Sequence, residues 1–221
     1  MNVLLDRLPT EIFISGKPVP IASDFRTWIL FEQLNLDKTL SEDQKAEKSL
    51  RLVFPDLMHI PLNEPKQIIE RLMWFYRGGD RKQNEYQLRE QKRSEARQNA
   101  GDETSTLYYD YDFDADYIYA AYMQQYGVDL STSTMHWWKF RAMFAGLTDK
   151  TKFVQIMGYR AAKIDKDMTE SQKRFYKRMK KMYALPLPQD EQEKTRAIED
   201  ALQGGDITLL MQLLGKGGGN G

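Results

Sequence analysis

Between Asp80 and Thr106 the chain carries six basic and six acidic residues, while its apolar members are only Tyr86, Leu88, Ala96 and Ala100. A stretch so poor in apolar side chains cannot bury enough surface to offset an ordering cost of about 1–2 kcal/mol per residue. Any core must therefore be built on either side of it. The resulting division is residues 1–79 as a hairpin plus helices, 80–107 as a charged flexible linker, 108–188 as a helical bundle, and 189–221 as C-terminal helices with a Gly-rich tail. The expected fold class is mainly α, a helical bundle with a small N-terminal β-hairpin. The first region is small for an independent core, so docking of the two regions remains open.

Local patterns assign the elements. Ile12, Phe13 and Ile14 favour strand, Ser15-Gly16 signals a turn, and Pro18-Val19-Pro20 limits the return strand to a short or edge position. Ser23 or Asp24 caps a helix whose Phe25, Trp28, Ile29, Leu30, Phe31 and Leu34 are apolar nearly all round, which predicts burial on every side. Ser41 and Gln44 form a capping-box pattern for a helix that Pro55 ends. Asn63 begins the next, with Pro65 in its first turn and Ile68, Ile69, Leu72, Met73 and Tyr76 on one face. Further helices are expected over residues 114–126, over MHWWKFRAMFAGL, over 152–160, and after Thr169 with the stripe Phe175, Met179, Met182 and Tyr183. Two amphipathic helices follow near residues 191–203 and 206–214, the second placing Ile207, Leu210, Met211 and Leu214 on one side.

Composition narrows the function. Lysine plus arginine and aspartate plus glutamate each number 32, so overall charge does not point to nucleic acid. Cysteine is absent, which removes disulfides, thiol catalysis and cysteine-based zinc sites. The opening MNVLLDRLPTEIF lacks a signal-peptide layout, and no apolar run approaches the roughly 18 residues of a membrane span. The reading is a soluble, cytoplasmic protein with no membrane association.

No pattern assembles catalytic chemistry. Asp110, Asp112, Asp114 and Asp116 alternate like the start of a calcium loop, but Ala115 and Ala121 occupy the required glycine and glutamate positions. Charge at a helix N-terminus accounts for these aspartates better. His59 and His136 lack a second imidazole at metal-ligand spacing and any nucleophile motif. Gly215-Lys216 lacks phosphate-loop spacing. No catalytic residue, cofactor or metal is assigned, and the chain is read as a non-enzyme. Residues 166–182 hold seven basic and two acidic residues, a pattern that suits phosphates or a solvated helix face. Trp137 and Trp138 point about 100° apart on a helix. One is expected in the core and the other against a neighbouring helix or a partner, so both join Ile207, Leu210, Met211 and Leu214 as candidate partner-binding residues.

The ordered motifs DFRTWILFEQL, DADYIYAAYMQQYGVDL, MHWWKFRAMFAGL, F-x-x-IMGYR and KRFYKRMKKMYALP together resemble the phage "gene product fifteen" family of tail-forming phages and prophages of Gram-positive bacteria. The resemblance runs from the first residues to Pro188. It implies a gene in the tail module, near those for the major tail protein and the tape-measure protein, where tail assembly chaperones are commonly encoded. The resemblance thus suggests a chaperone that binds the tape-measure and tail-tube proteins in the host cytoplasm. A structural component of the tail or virion, and a nucleic-acid-binding protein using residues 166–182, are the alternatives.

Overall fold

The computed structural model describes residues 4–56, 60, 63–79 and 108–186. The expected linker and the C-terminal helices, with Ile207, Leu210, Met211 and Leu214, lie outside these residues, as does His59.

β1 (Glu11–Ile14) and β2 (Lys17–Pro20) form an antiparallel hairpin. Ser15 and Gly16 both take positive φ, the pattern of the tight turn that matches the twist of paired strands. Phe13 pairs with Pro18 and Glu11 with Pro20. Both prolines thus occupy alternate positions whose backbone nitrogens point away from β1, and no ladder bond is lost. Ile12, Ile14 and Val19 turn inward and are buried.

α1 (Phe25–Leu36) starts at Asp24, whose carboxylate accepts from the Arg26 backbone N–H at 3.0 Å. Its buried residues are Phe25, Trp28 and Phe31. Leu30 and Leu36 are about half exposed, so the helix is not buried all round as its composition suggested. No described element covers that side. α2 (Glu42–Val53) has the expected capping box between Ser41 and Gln44. α3 (Pro65–Tyr76) begins after Glu64 rather than at Asn63. Its inward stripe is Ile68, Leu72 and Phe75, which turns Ile69 outward, contrary to the sequence reading.

α4 (Ala115–Tyr126) ends at Gly127, which takes the left-handed conformation and donates to Met123 O. α5 (Trp137–Ala145), α6 (Lys152–Ala161) and α7 (Glu170–Met182) complete the described helices. Among the described residues the fold is mainly helical with one two-stranded hairpin.

Residues before and after the 80–107 segment share one core. Ser23 and His136 segments run antiparallel, with Trp137 N–H donating to Ser23 O at 2.7 Å and Phe25 N–H to Met135 O at 2.9 Å. Phe25 stacks on Phe140 at 4.8 Å, and Phe140 on Tyr122 at 5.1 Å. Trp28 stacks on Phe75 and Trp137.

Trp137 and Trp138 are both buried, at 1 % and 0 % exposure, so of the two alternatives for the second tryptophan, a neighbouring helix or a partner, the fold takes the neighbouring helix. Their 100° divergence still holds, but α3 fills the second direction. Trp138 Nε1–H donates to Phe75 O at 2.7 Å, Trp137 Nε1–H to Tyr76 O at 2.8 Å, and Arg141 adds a 2.9 Å bond to Tyr76 O. These donors satisfy carbonyls that a helix end leaves open. Gly79 has φ +81°, and a Cβ there would come within 2.8 Å of the Trp138 ring. Trp138→Ala is expected to destabilise the protein by about 3–5 kcal/mol through lost burial and a cavity. Trp138→Phe keeps most of the ring but removes the indole hydrogen bond to Phe75 O, which retains the Gly78 backbone N–H, at a cost of about 0.5–1.5 kcal/mol. Chemical denaturation of both variants checks this ordering.

Candidate functional site

α7 starts at a capping box between Thr169 and Gln172. Its register places Arg174, Lys177, Arg178 and Lys181 at i, i+3, i+4 and i+7, hence on one face. All four are exposed. Among the described residues none of the four forms an ion pair. Lys173, by contrast, pairs with Glu170 at 3.0 Å. Phe175 and Met182, seven residues apart beside this face, are 40 % and 60 % exposed. The sequence reading placed both in a stripe with Met179 and Tyr183. Only Met179 is buried on α7, because the helix packs chiefly on α6, at the edge of the fold.

A buried ion pair holds that edge. The Arg160 guanidinium meets both Asp114 oxygens, at 2.6 and 2.8 Å. It also donates to Tyr108 O at 2.9 Å and, through Nε, to Tyr183 O at 2.5 Å. Asp114 further accepts from the Asp110 backbone N–H at 3.0 Å. Arg160 thus ties the start of α4, the segment before it and the end of α7 to α6. Stacking of Tyr183 on Tyr159 at 5.9 Å and Lys152 over the Tyr183 ring reinforce the joint. Thr151, which caps α6, sets the helical register that carries Arg160 inward.

The four alternating aspartates therefore have separate roles. Asp110 accepts from the Asp112 and Phe113 backbone N–H groups, both at 2.8 Å. Asp112 is exposed, Asp114 is buried in the ion pair, and Asp116 lies in the first turn of α4. The helix-terminus reading places Asp114, the N-cap residue, and Asp116 correctly but misses the ion pair that Asp114 makes. The arginine partner lies 46 residues away, beyond the reach of any local pattern.

A cleft of about 230 Å³ opens between the end of α1 and residues 109–112, lined by Glu32, Leu36, Asp37, Tyr109, Tyr111 and Asp112 among others. At its base Tyr76 donates to Glu32 at 2.8 Å. Burial pushes the Glu32 carboxyl above its usual range, against the opposing effect of Tyr76 and Arg141. Asp37 is held below the usual carboxylate range by hydrogen bonds from Thr39. The carboxylates Glu32, Asp37 and Asp110 are thus engaged by their own surroundings. Among the described residues no three His, Cys, Asp or Glu side chains are grouped to hold a metal ion.

His136 caps α5 rather than lying within it. Its Nδ1 accepts from the Trp138 backbone N–H at 3.0 Å, which puts the ring proton on Nε2, facing Pro9 O at 2.8 Å. Burial lowers its pKa, with the Pro9 contact opposing. A protonated ring has no lone pair for the cap.

Two measurements test these joints. Asp114→Ala leaves Arg160 buried without its counter-charge and is expected to cost about 3–5 kcal/mol in chemical denaturation. For His136 the folded pKa lies below the unfolded value of about 6.5, so the unfolded chain takes up the proton first. Its stabilising contribution is present above that value and is lost as pH falls through the folded one. The thermal midpoint of the wild type should therefore drop more between pH 7 and 5 than that of His136→Asn, which retains a capping oxygen. Equal slopes would remove His136 as the source.

Among the described residues no helix is long and apolar enough to cross a membrane. No curated protein and no solved structure matches the chain. The model of the Bacteriophage Gp15 protein family matches residues 4–185, a span that contains α1 to α7, the Arg160 joint and the basic face. The chain is thus a phage protein and belongs to the Bacteriophage Gp15 protein family.

Proposed function

We propose that the protein is a tail assembly chaperone, a non-catalytic factor that binds the tape-measure and major tail proteins in the host cytoplasm during tail morphogenesis. Membership of a phage family supports a tail-related role. The observation that carries the finer reading is the outer side of α7, where exposed Phe175 and Met182 adjoin four cations that form no ion pair among the described residues. The fold uses little of this surface: Phe175 meets the Tyr159 ring edge-on at 5.9 Å and keeps 40 % of its area exposed. Buried aromatics dominate the interior, and the hydrogen-bonding groups of the aspartates, His136 and the paired tryptophans are engaged in holding the fold. A tape-measure protein is long and helical, and its apolar stripes need cover until the tail tube polymerises around it. Helix-against-helix contact provides such cover reversibly.

Co-expression with the tape-measure and major tail proteins, followed by pull-down through a tag on this chain, is the test. The chaperone reading expects at least one of the two to be retained, and expects the chain to be missing from purified virions by mass spectrometry. A stoichiometric signal in virions would instead make it a structural component of the particle.

A further inference from the structure

We infer that the outward face of α7 docks an amphipathic helix of a partner protein whose apolar seam is flanked by acidic side chains. The inference deepens the chaperone reading and rests on it for the identity of that partner.

Four like charges at helical neighbour spacing, Arg174, Lys177, Arg178 and Lys181, repel one another and weaken the helix that bears them. An anionic partner relieves that repulsion. The cations cover two turns, roughly 10 Å of helix rise, a length that a facing helix matches with acids at the same spacing. Phe175 and Met182 decide between the classes of anionic partner. They stand one heptad apart with Arg178 between them, the spacing at which two nearly aligned helices meet. A phosphate backbone would satisfy the cations and leave both apolar side chains in water. An acidic amphipathic helix neutralises the cations and covers Phe175 and Met182 together. The thioether of Met182 adapts to the contour of such a seam. The platform is firm at both ends: the capping box fixes the start of α7, and Tyr183 O is held by buried Arg160.

The experiment uses the full chain and a labelled helical peptide of roughly 20 residues, with leucines on a heptad seam and glutamates on both flanks. A matching peptide with lysine flanks and a duplex DNA of similar length are the comparisons, with fluorescence anisotropy as the readout. Wild type is expected to bind the glutamate peptide, more weakly as salt rises. The variant R174E/K177E/R178E/K181E should lose about tenfold or more of that affinity and gain affinity for the lysine peptide, as opposite charges re-pair. F175S/M182S should also weaken the glutamate peptide, and unlike the charge reversal its loss should persist at high salt. The milder K177Q/R178Q, checked by thermal melting, guards against loss of fold.

Undiminished binding of the glutamate peptide by the reversal variant, or preference of wild type for DNA, overturns the inference. The same variant is then carried through the co-expression pull-down. Loss of both peptide and tape-measure protein supports the inference. Loss of the peptide with the tape-measure protein retained overturns it and leaves the chaperone reading standing. If wild type captures neither tail protein but the peptide results hold, the docking face is supported and the chaperone reading fails.

Discussion

The last carbonyls of α3 accept from two adjacent indoles, and the rest of the core is arranged around that contact. Phe75 O accepts from the Trp138 indole as well as from the Gly78 backbone N–H, and Tyr76 O from the Trp137 indole as well as from Arg141, so both carbonyls of this helix end are fully engaged. Trp138 and Trp137 satisfy them while supplying the largest buried side chains on α5. The bond also dictates the turn that follows. Gly79 must carry no Cβ because the Trp138 ring occupies that space, and its positive φ turns the chain away. Residues near position 75 and residues near position 137 therefore belong to one folding unit. The antiparallel bridge between the Ser23 and His136 segments repeats this link on the other side of α1.

A second constraint works at the edge. The Asp114–Arg160 pair is almost fully buried and each partner makes further hydrogen bonds. A buried pair contributes little net stability against apolar replacements, but its geometry is exacting. Here that geometry fixes where α7 ends. One buried methionine, a stacked tyrosine and the edge-on contact of Phe175 with Tyr159 add to the attachment, and most of the α7 surface stays open to solvent. An edge helix held at few points, with a highly charged outer side, offers contact area that the fold itself does not need.

The motifs that carry the family resemblance are mostly parts of this machinery. DFRTW contains the α1 cap and Trp28, HWW contains the α5 cap and both indole donors, and IMGYR ends in Arg160. They speak mainly to how the chain folds. KRFYKRMKKMYALP is different in kind, since it supplies Tyr183 to the Arg160 joint and the exposed cations to the surface.

The sequence by itself determined the helical class, the hairpin with its Ser15-Gly16 turn, the Ser41–Gln44 capping box and the Thr169 helix start, because each rests on interactions within a few residues. It also marked α7 as a basic helix. The tertiary structure decided which apolar residues turn inward. Ile69 and Leu30 look as suited to a core as Ile68 and Phe31, and only the positions of neighbouring helices separate them. The same holds for the tryptophan pair, whose second direction is filled by α3 rather than solvent, and for Asp114, whose partner is 46 residues distant. Local chemistry sets the conformation of a segment. Burial and pairing depend on what arrives from elsewhere in the chain, and no short window of sequence contains that information.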